Sequence, residues 1–116
     1  MTKTARVYGG SLYDLAAEEK LDGQIMEQMN EIRQIFRENP GYLKLLGEPA
    51  IPQEERIKLL DEAFGGQVEP YLLNFLKLLC EKKILREFSG CCEEFTRRYN
   101  ACLLYTSDAA DDGESV

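Results

Sequence analysis

Apolar residues recur at helical spacing along most of this chain, and one stretch, Pro70 to Leu85, is apolar around far more of its circumference than the others. At about 100° per residue, Tyr71, Phe75, Leu79, Leu72, Leu76, Cys80 and Leu73 sweep one continuous arc, and Leu78 extends it. Only Asn74, Lys77 and Glu81 remain as a polar strip. A surface helix needs an apolar stripe of roughly 100°. The excess predicts that this helix is covered by other helices on two sides or carries a partner-binding surface.

The remaining elements follow from the same pattern. Thr4 to Lys20 places Tyr8, Leu12, Leu15 and Ala16 on one face, with the small residues Gly9, Gly10, Ser11 and Ala17 elsewhere. Its two glycines each cost roughly 1 kcal/mol relative to alanine, so this helix depends on tertiary contacts, and its thin side admits a close neighbour. Asp22 is positioned to cap a second helix, with Ile25, Met29, Ile32 and Phe36 inward and Glu27, Glu31, Arg33 and Arg37 toward water. Asn39-Pro40 stops it and starts a short third helix carrying Tyr42, Leu43, Leu45 and Leu46 up to Gly47. Pro52 opens a fourth, with Ile57, Leu60 and Phe64 as its buried face and Gly65-Gly66 as a left-handed stop. After the organising helix, Lys82 and Lys83 mark a turn. Leu85, Phe88, Cys92, Phe95 and Tyr99 then form the stripe of a sixth helix that exposes Glu93, Glu94, Arg97 and Arg98. The first hundred residues carry no period-two strand pattern, so the prediction is an all-α six-helix bundle over residues 1–102. Residues 103–116 change character to an acidic, disordered tail of foreign appearance.

Composition narrows the function classes. The 116 residues suffice for one domain, and 14 basic against 21 acidic residues give a net charge of -7. That balance repels a phosphate backbone and disfavours nucleic-acid binding. The tail holds four of the acids, so the bundle itself is only mildly acidic. No run reaches the roughly 20 apolar residues of a bilayer span, and the start lacks a signal peptide's apolar block, which predicts no direct membrane insertion and a cytosolic chain.

Candidate chemistry is sparse. There is no histidine, no Cys-x-x-Cys spacing among Cys80, Cys91, Cys92 and Cys102, no nucleophile elbow and no Gly-x-x-x-x-Gly-Lys loop. Catalytic residues, cofactors and metal are therefore not expected, and Cys80 and Cys92 are read as small core residues. Glu18-Glu19 and Glu54-Glu55 are adjacent carboxylates that a helix points about 100° apart, so neither forms a proton-sharing pair. Asn74, an amide among apolar neighbours, requires a hydrogen-bond partner inside the bundle or on another chain.

Three ordered stretches carry a resemblance. ARVYGGSLYDLAAEE is similar to an opening Ala-Arg-x-Tyr-Ala-x-Ala-Leu-Phe-x-Leu-Ala helix. ENPGYLKLLGEPAIPQEERIKLLDEAFGG resembles an x-Asn-Pro-x-Leu, x-x-Pro and Glu-Glu-Lys-x-x-Leu-Leu succession. NFLKLLCEKKIL resembles an Asn-Phe-Leu-x-Leu-Leu helix. Together, over Thr4 to Asn100, they resemble the N-terminal domain of the delta subunit of F-type ATP synthase, the oligomycin sensitivity-conferring protein of mitochondria. The resemblance implies a six-helix domain whose first and fifth helices form a groove for the amphipathic N-terminal helix of the catalytic head's alpha subunit. Carried over by position, Tyr8 and Ser11 on the first helix and Asn74 and Leu78 on the fifth line that groove, with Leu12, Leu15 and Phe75 beside them.

It further implies a non-catalytic stator subunit, a monomer within its complex, peripheral on the cytoplasmic side of the bacterial plasma membrane, which stops the head turning with the proton-driven rotor. Attachment to the b-subunit stalk is implied only for a C-terminal domain that this truncated chain does not include. Two positions depart from the family pattern: glycines replace alanines at Gly9 and Gly10, and Lys82-Lys83-Ile84 replaces Lys-Gly-Arg. Periodicity alone equally admits a free-standing helical adaptor that binds some other amphipathic helix.

Overall fold

In the computed structural model, residues 2–107 are described, with side chains through residue 101. The chain forms α1 (Lys3–Glu18), α2 (Asp22–Glu38), α3 (Pro40–Leu46), α4 (Gln53–Phe64) and α5 (Pro70–Glu81). A 3-10 turn, Leu85–Glu87, then leads into α6 (Phe88–Ser107). The six-helix, all-α reading holds, with no strand among the described residues. Helix α6 continues past the predicted tail start at Leu103, since nothing between Ala101 and Ser107 breaks a helix. The tail's acidic residues lie outside the described residues.

Several local signals act one position from where the pattern put them. Thr2 caps α1, its hydroxyl accepting from the Ala5 N–H at 3.0 Å. Asp22 does not cap α2; Leu21 occupies that place, and Asp22 sits inside the first turn, where its charge still suits the positive helix end. Pro52 is the N-cap of α4 rather than its first residue. Asn39 precedes α3, but its side chain donates backwards to the Ile35 carbonyl at 2.9 Å and so closes α2. Of the glycine pair after α4, Gly66 takes the left-handed conformation, φ 78°. Lys83 adopts φ 61° after α5, at the place where the resembled pattern has glycine, so a lysine bears a backbone strain that glycine avoids.

The helices pair unequally. Helix α1 lies mainly on α6, α2 also packs on α6, α4 packs on α5, and α3 bridges α2 and α4. Phe36 of α2 is a hub, stacked edge-on against Phe64 and Phe88 at 6.3 and 5.7 Å between ring centres. Cys80, Cys91 and Cys92 are buried free thiols. Burial pushes Cys91 and Cys92 up to about 12, which keeps them protonated and inert near neutrality.

The α1–α6 contact is close because Gly9 and Gly10 present no side chain. A Cβ on Gly9 would stand 2.7 Å from the Cys91 carbonyl oxygen and 3.1 Å from the Glu94 Cβ. A Cβ on Gly10 would meet first the Arg98 guanidinium, at 2.7 Å. Glu94, predicted to face water, is buried at 1% exposure beneath this contact. Its carboxylate accepts from Arg97 Nη2 at 2.7 Å and from Arg98 Nε at 2.7 Å. The periodic pattern misplaced it because α1 covers a second side of α6, beyond the stripe that faces α2. Arg33 is also not simply solvated: it donates to Ser89 Oγ at 2.9 Å and to Glu93 at 3.0 Å, tying α2 to α6.

Buried Arg56 was not singled out by sequence. It takes the inward position next to half-buried Ile57 and donates to the carbonyls of Ile51 at 3.1 Å and Leu46 at 3.3 Å, fastening the connector between α3 and α4. The Cys80 thiol donates to the same Leu46 carbonyl at 3.6 Å. An arginine can be buried there because its fork reaches carbonyls that the end of α3 leaves unsatisfied.

Two outcomes follow from the α1–α6 contact. Gly9→Ala is expected to lower stability by about 1–3 kcal/mol, because the methyl meets backbone and overrides a helix-propensity gain of about 1 kcal/mol. Gly10→Ala meets the Arg98 guanidinium instead of backbone, and shifting that group loosens its bond to Glu94, so a smaller loss of about 1 kcal/mol is expected; urea unfolding of both variants reads the contrast. The hydrogen bonds from Arg97 and then Arg98 hold the Glu94 carboxyl down to about 2, from an ordinary 4.5. The unfolded chain therefore takes up this proton first. The contribution is complete above about pH 4.5 and is lost as pH falls toward 2. In Glu94→Gln the urea midpoint should be lower at neutral pH and vary less across that acid window.

Candidate functional site

Two hydrogen bonds fix how α1 and α5 run relative to one another. Gln24, in the first turn of α2 that follows α1, donates to Glu69 at the start of α5 at 3.4 Å. Thr2, at the start of α1, donates to Glu87, just beyond the end of α5, at 2.6 Å. The helices are antiparallel neighbours. They touch over only a short stretch because α1 is seated on α6 and α5 on α4.

A groove of about 610 Å³ remains between them, lined by Val7, Tyr8, Ser11, Leu12 and Leu15 of α1 and by Tyr71, Asn74, Phe75 and Leu78 of α5. The spacing explains the lining. Residues 7, 8, 11, 12 and 15 share one face of α1, and residues 71, 74, 75 and 78 share one face of α5. All seven residues named from the sequence therefore come together around a single concavity. Leu12 and Phe75 are buried and form its floor, Tyr8 and Leu15 are half-buried, and Ser11, Asn74 and Leu78 are exposed. Asn74 makes no side-chain hydrogen bond among the described residues; it is exposed, so its amide faces water and not the apolar neighbours that the sequence suggested.

Sequence reasoning missed two wall residues, Val7 and Tyr71, at 53% and 37% exposure. Tyr71 was on the apolar arc of α5, and Val7 lies one helical turn before Ser11, so the spacing carried both. With Leu78 at 36%, they are three of the five exposed large hydrophobics among the described residues. Three such side chains on one groove form a continuous apolar surface rather than scattered exposure.

The groove's lining is apolar with two polar side chains, Ser11 and Asn74, and the hydroxyls of its tyrosines. The lining includes no carboxylate, thiol, lysine or arginine, so Ser11 has no general base among the groove's residues. Among the described residues no group of three or more potential ligands could hold a metal ion, and no helix is long and apolar enough to cross a membrane.

The family model of the ATP synthase delta (OSCP) subunit matches residues 4–103. The chain belongs to this family. Among its relatives, ATP synthase subunit delta of Lachnoclostridium phytofermentans is 28% identical over 114 residues, which cover 95% of this chain and 63% of that protein. The subunit delta of Gloeobacter violaceus is 33% identical over 94 residues, covering 80% and 51%. The chloroplastic subunit delta of Galdieria sulphuraria is 26% identical over 98 residues, covering 84% and 55%. The chain thus spans between half and two thirds of the length of these delta subunits.

In this delta-family chain, the two faces of α5 should respond differently to one substitution. Leu78→Asp is expected to cost about 1 kcal/mol or less, since the new carboxylate can reach water. Leu79→Asp, one position on and fully buried, is expected to cost about 4 kcal/mol or more by burying a charge. Urea unfolding of the pair measures the difference.

Proposed function

We propose that this chain is the head-binding part of a delta-type stator subunit, and that its α1–α5 groove receives the amphipathic N-terminal helix of an ATP synthase alpha subunit. The observation that carries the proposal is the convergence of Val7, Tyr71 and Leu78 on one groove over a floor of Leu12 and Phe75. An amphipathic helix presents apolar side chains at i, i+3, i+4 and i+7, and two antiparallel helices with an open seam offer the complementary cradle. Tyr8, Tyr71 and Leu78 would supply anchoring area, while Ser11 and Asn74 form the polar rim that orients the ligand.

The role is mechanical. A stator subunit holds the catalytic head against the rotor's torque, and an apolar seat with slow release suits that duty better than a rapidly exchanging charged one. The chain supplies no reacting group; synthesis and hydrolysis of ATP belong to other subunits of the complex. In this reading the protein works as a single copy, peripheral on the cytoplasmic side of the bacterial plasma membrane. The tie to the b-subunit stalk belongs to the further length that the relatives possess.

Calorimetric titration of a peptide matching the cognate alpha subunit's first twenty or so residues tests the assignment. The expected result is saturable one-to-one binding with a negative heat-capacity change, weakened at least tenfold by Leu78→Asp in a protein that keeps its helix content. A folded chain that ignores this peptide, or that binds unrelated amphipathic helices equally well, would exclude the stator assignment and leave a general helical adaptor.

A further inference from the structure

On the side of α5 away from the groove, two adjoining cavities of about 210 and 330 Å³ share Leu43, Leu85 and Arg86. They lie where the ends of α2, α3 and α5 converge on the 3-10 turn and the start of α6. The apolar walls are Phe36, Leu43, Leu46, Leu85 and Phe88, all buried except half-buried Leu43. The charged residues that line them are Arg33, Arg37, Lys44, Lys83 and Arg86, with no carboxylate among the lining residues.

This is an unusual place in a chain with 14 basic and 21 acidic residues. Arg33 is neutralised by Glu93 at 3.0 Å, but among the described residues Arg37, Lys44, Lys83 and Arg86 form no ion pair. The nearby carboxylates Glu87, Glu38 and Glu48 accept hydrogen bonds from Thr2, Gln34 and the Ala50 N–H; they keep their charge but reach none of these four cations closely enough for an ion pair. Helix ends do not cancel the charge. Three helix C-termini contribute about half a negative charge each, against four unpaired cations. Arg86 sits in the 3-10 turn, where it completes no helix end.

We propose that this cleft is a second docking site, for an acidic peptide segment of a partner chain that inserts at least one large apolar side chain. The unpaired cations would meet the segment's carboxylates, and the buried Leu and Phe walls would take its anchor. The apolar lining favours a peptide over a polyphosphate. Each cavity has room for one or two side chains, which suits a short extended segment and not a whole helix. This site is independent of the α1–α5 groove, to which α5 contributes its opposite face.

The test is an NMR titration of the isotopically labelled chain with the acetylated, amidated peptide Glu-Asp-Phe-Glu-Leu-Asp. Expected are saturable shifts of the Leu43, Leu85 and Ser89 amides, with those of Ser11 and Leu78 unmoved. Arg86→Glu combined with Lys83→Glu should weaken binding at least tenfold, and Arg86→Gln alone by a few fold, with unchanged circular dichroism since both positions are exposed. Absence of saturable shifts at millimolar peptide overturns the proposal, as does equal binding of the analogue with lysine in place of every acid. Inorganic diphosphate binding as tightly as the peptide would make the cleft a general anion site instead. Shifts confined to the groove would likewise remove the second site.

Discussion

Everything in this bundle is arranged around how near α6 can come to α1. Gly9 lets the α6 backbone at Cys91 approach to a distance that any side chain would forbid. The helix pays for its two glycines in propensity, and recovers the cost because close approach seals from water a carboxylate, Glu94, that the i+3 and i+4 spacing of α6 itself pairs with Arg97 and Arg98. A carboxylate in that position is stable only while its hydrogen bonds are complete, so burial and ion pairing stand or fall together. Helix α1 is thus fixed from one side, and what it presents on the other is free to be a binding surface.

The dual character of α5 follows from this arrangement. Its apolar arc is too wide for a single contact, and the structure divides it. Leu72, Leu76, Leu79 and Cys80 are buried in the core, Phe75 is shared with the groove floor, and Tyr71, Asn74 and Leu78 remain at the surface. With α1 held on α6 and α5 held on α4, the two cannot also close on each other. The open seam is a geometric remainder of two stronger packings.

Much of this was readable in the chain. Helix number, the apolar stripes of α2 and α6, the Asn39-Pro40 break and the wide arc of α5 all follow from spacing and terminator chemistry. The groove residues were placed by motif resemblance rather than by periodicity, which could not say whether Leu78 met core or solvent. The misplaced residues share a cause. Glu94 and Arg33 look solvent-facing when each helix is considered alone, and become buried or bridging only once a second neighbour arrives. Arg56 was invisible because its partners are backbone carbonyls, which carry no sequence signature. Asn39 carries the right signal for an N-cap but spends its side chain on the preceding helix.

The contact between α1 and α6 also joins opposite ends of the sequence: Asp14 meets Arg98 across 84 positions. On a ribosome, α1 emerges before every other helix of this bundle and its partner α6 after them. The glycine-bearing helix, which has little intrinsic stability, must therefore wait through most of the domain's synthesis with its apolar face uncovered. Closure of this long loop is a late and slow step compared with local helix formation. The α4–α5 pair can assemble earlier from near neighbours. The groove between α1 and α5 consequently does not exist until α6 has emerged and docked on α1.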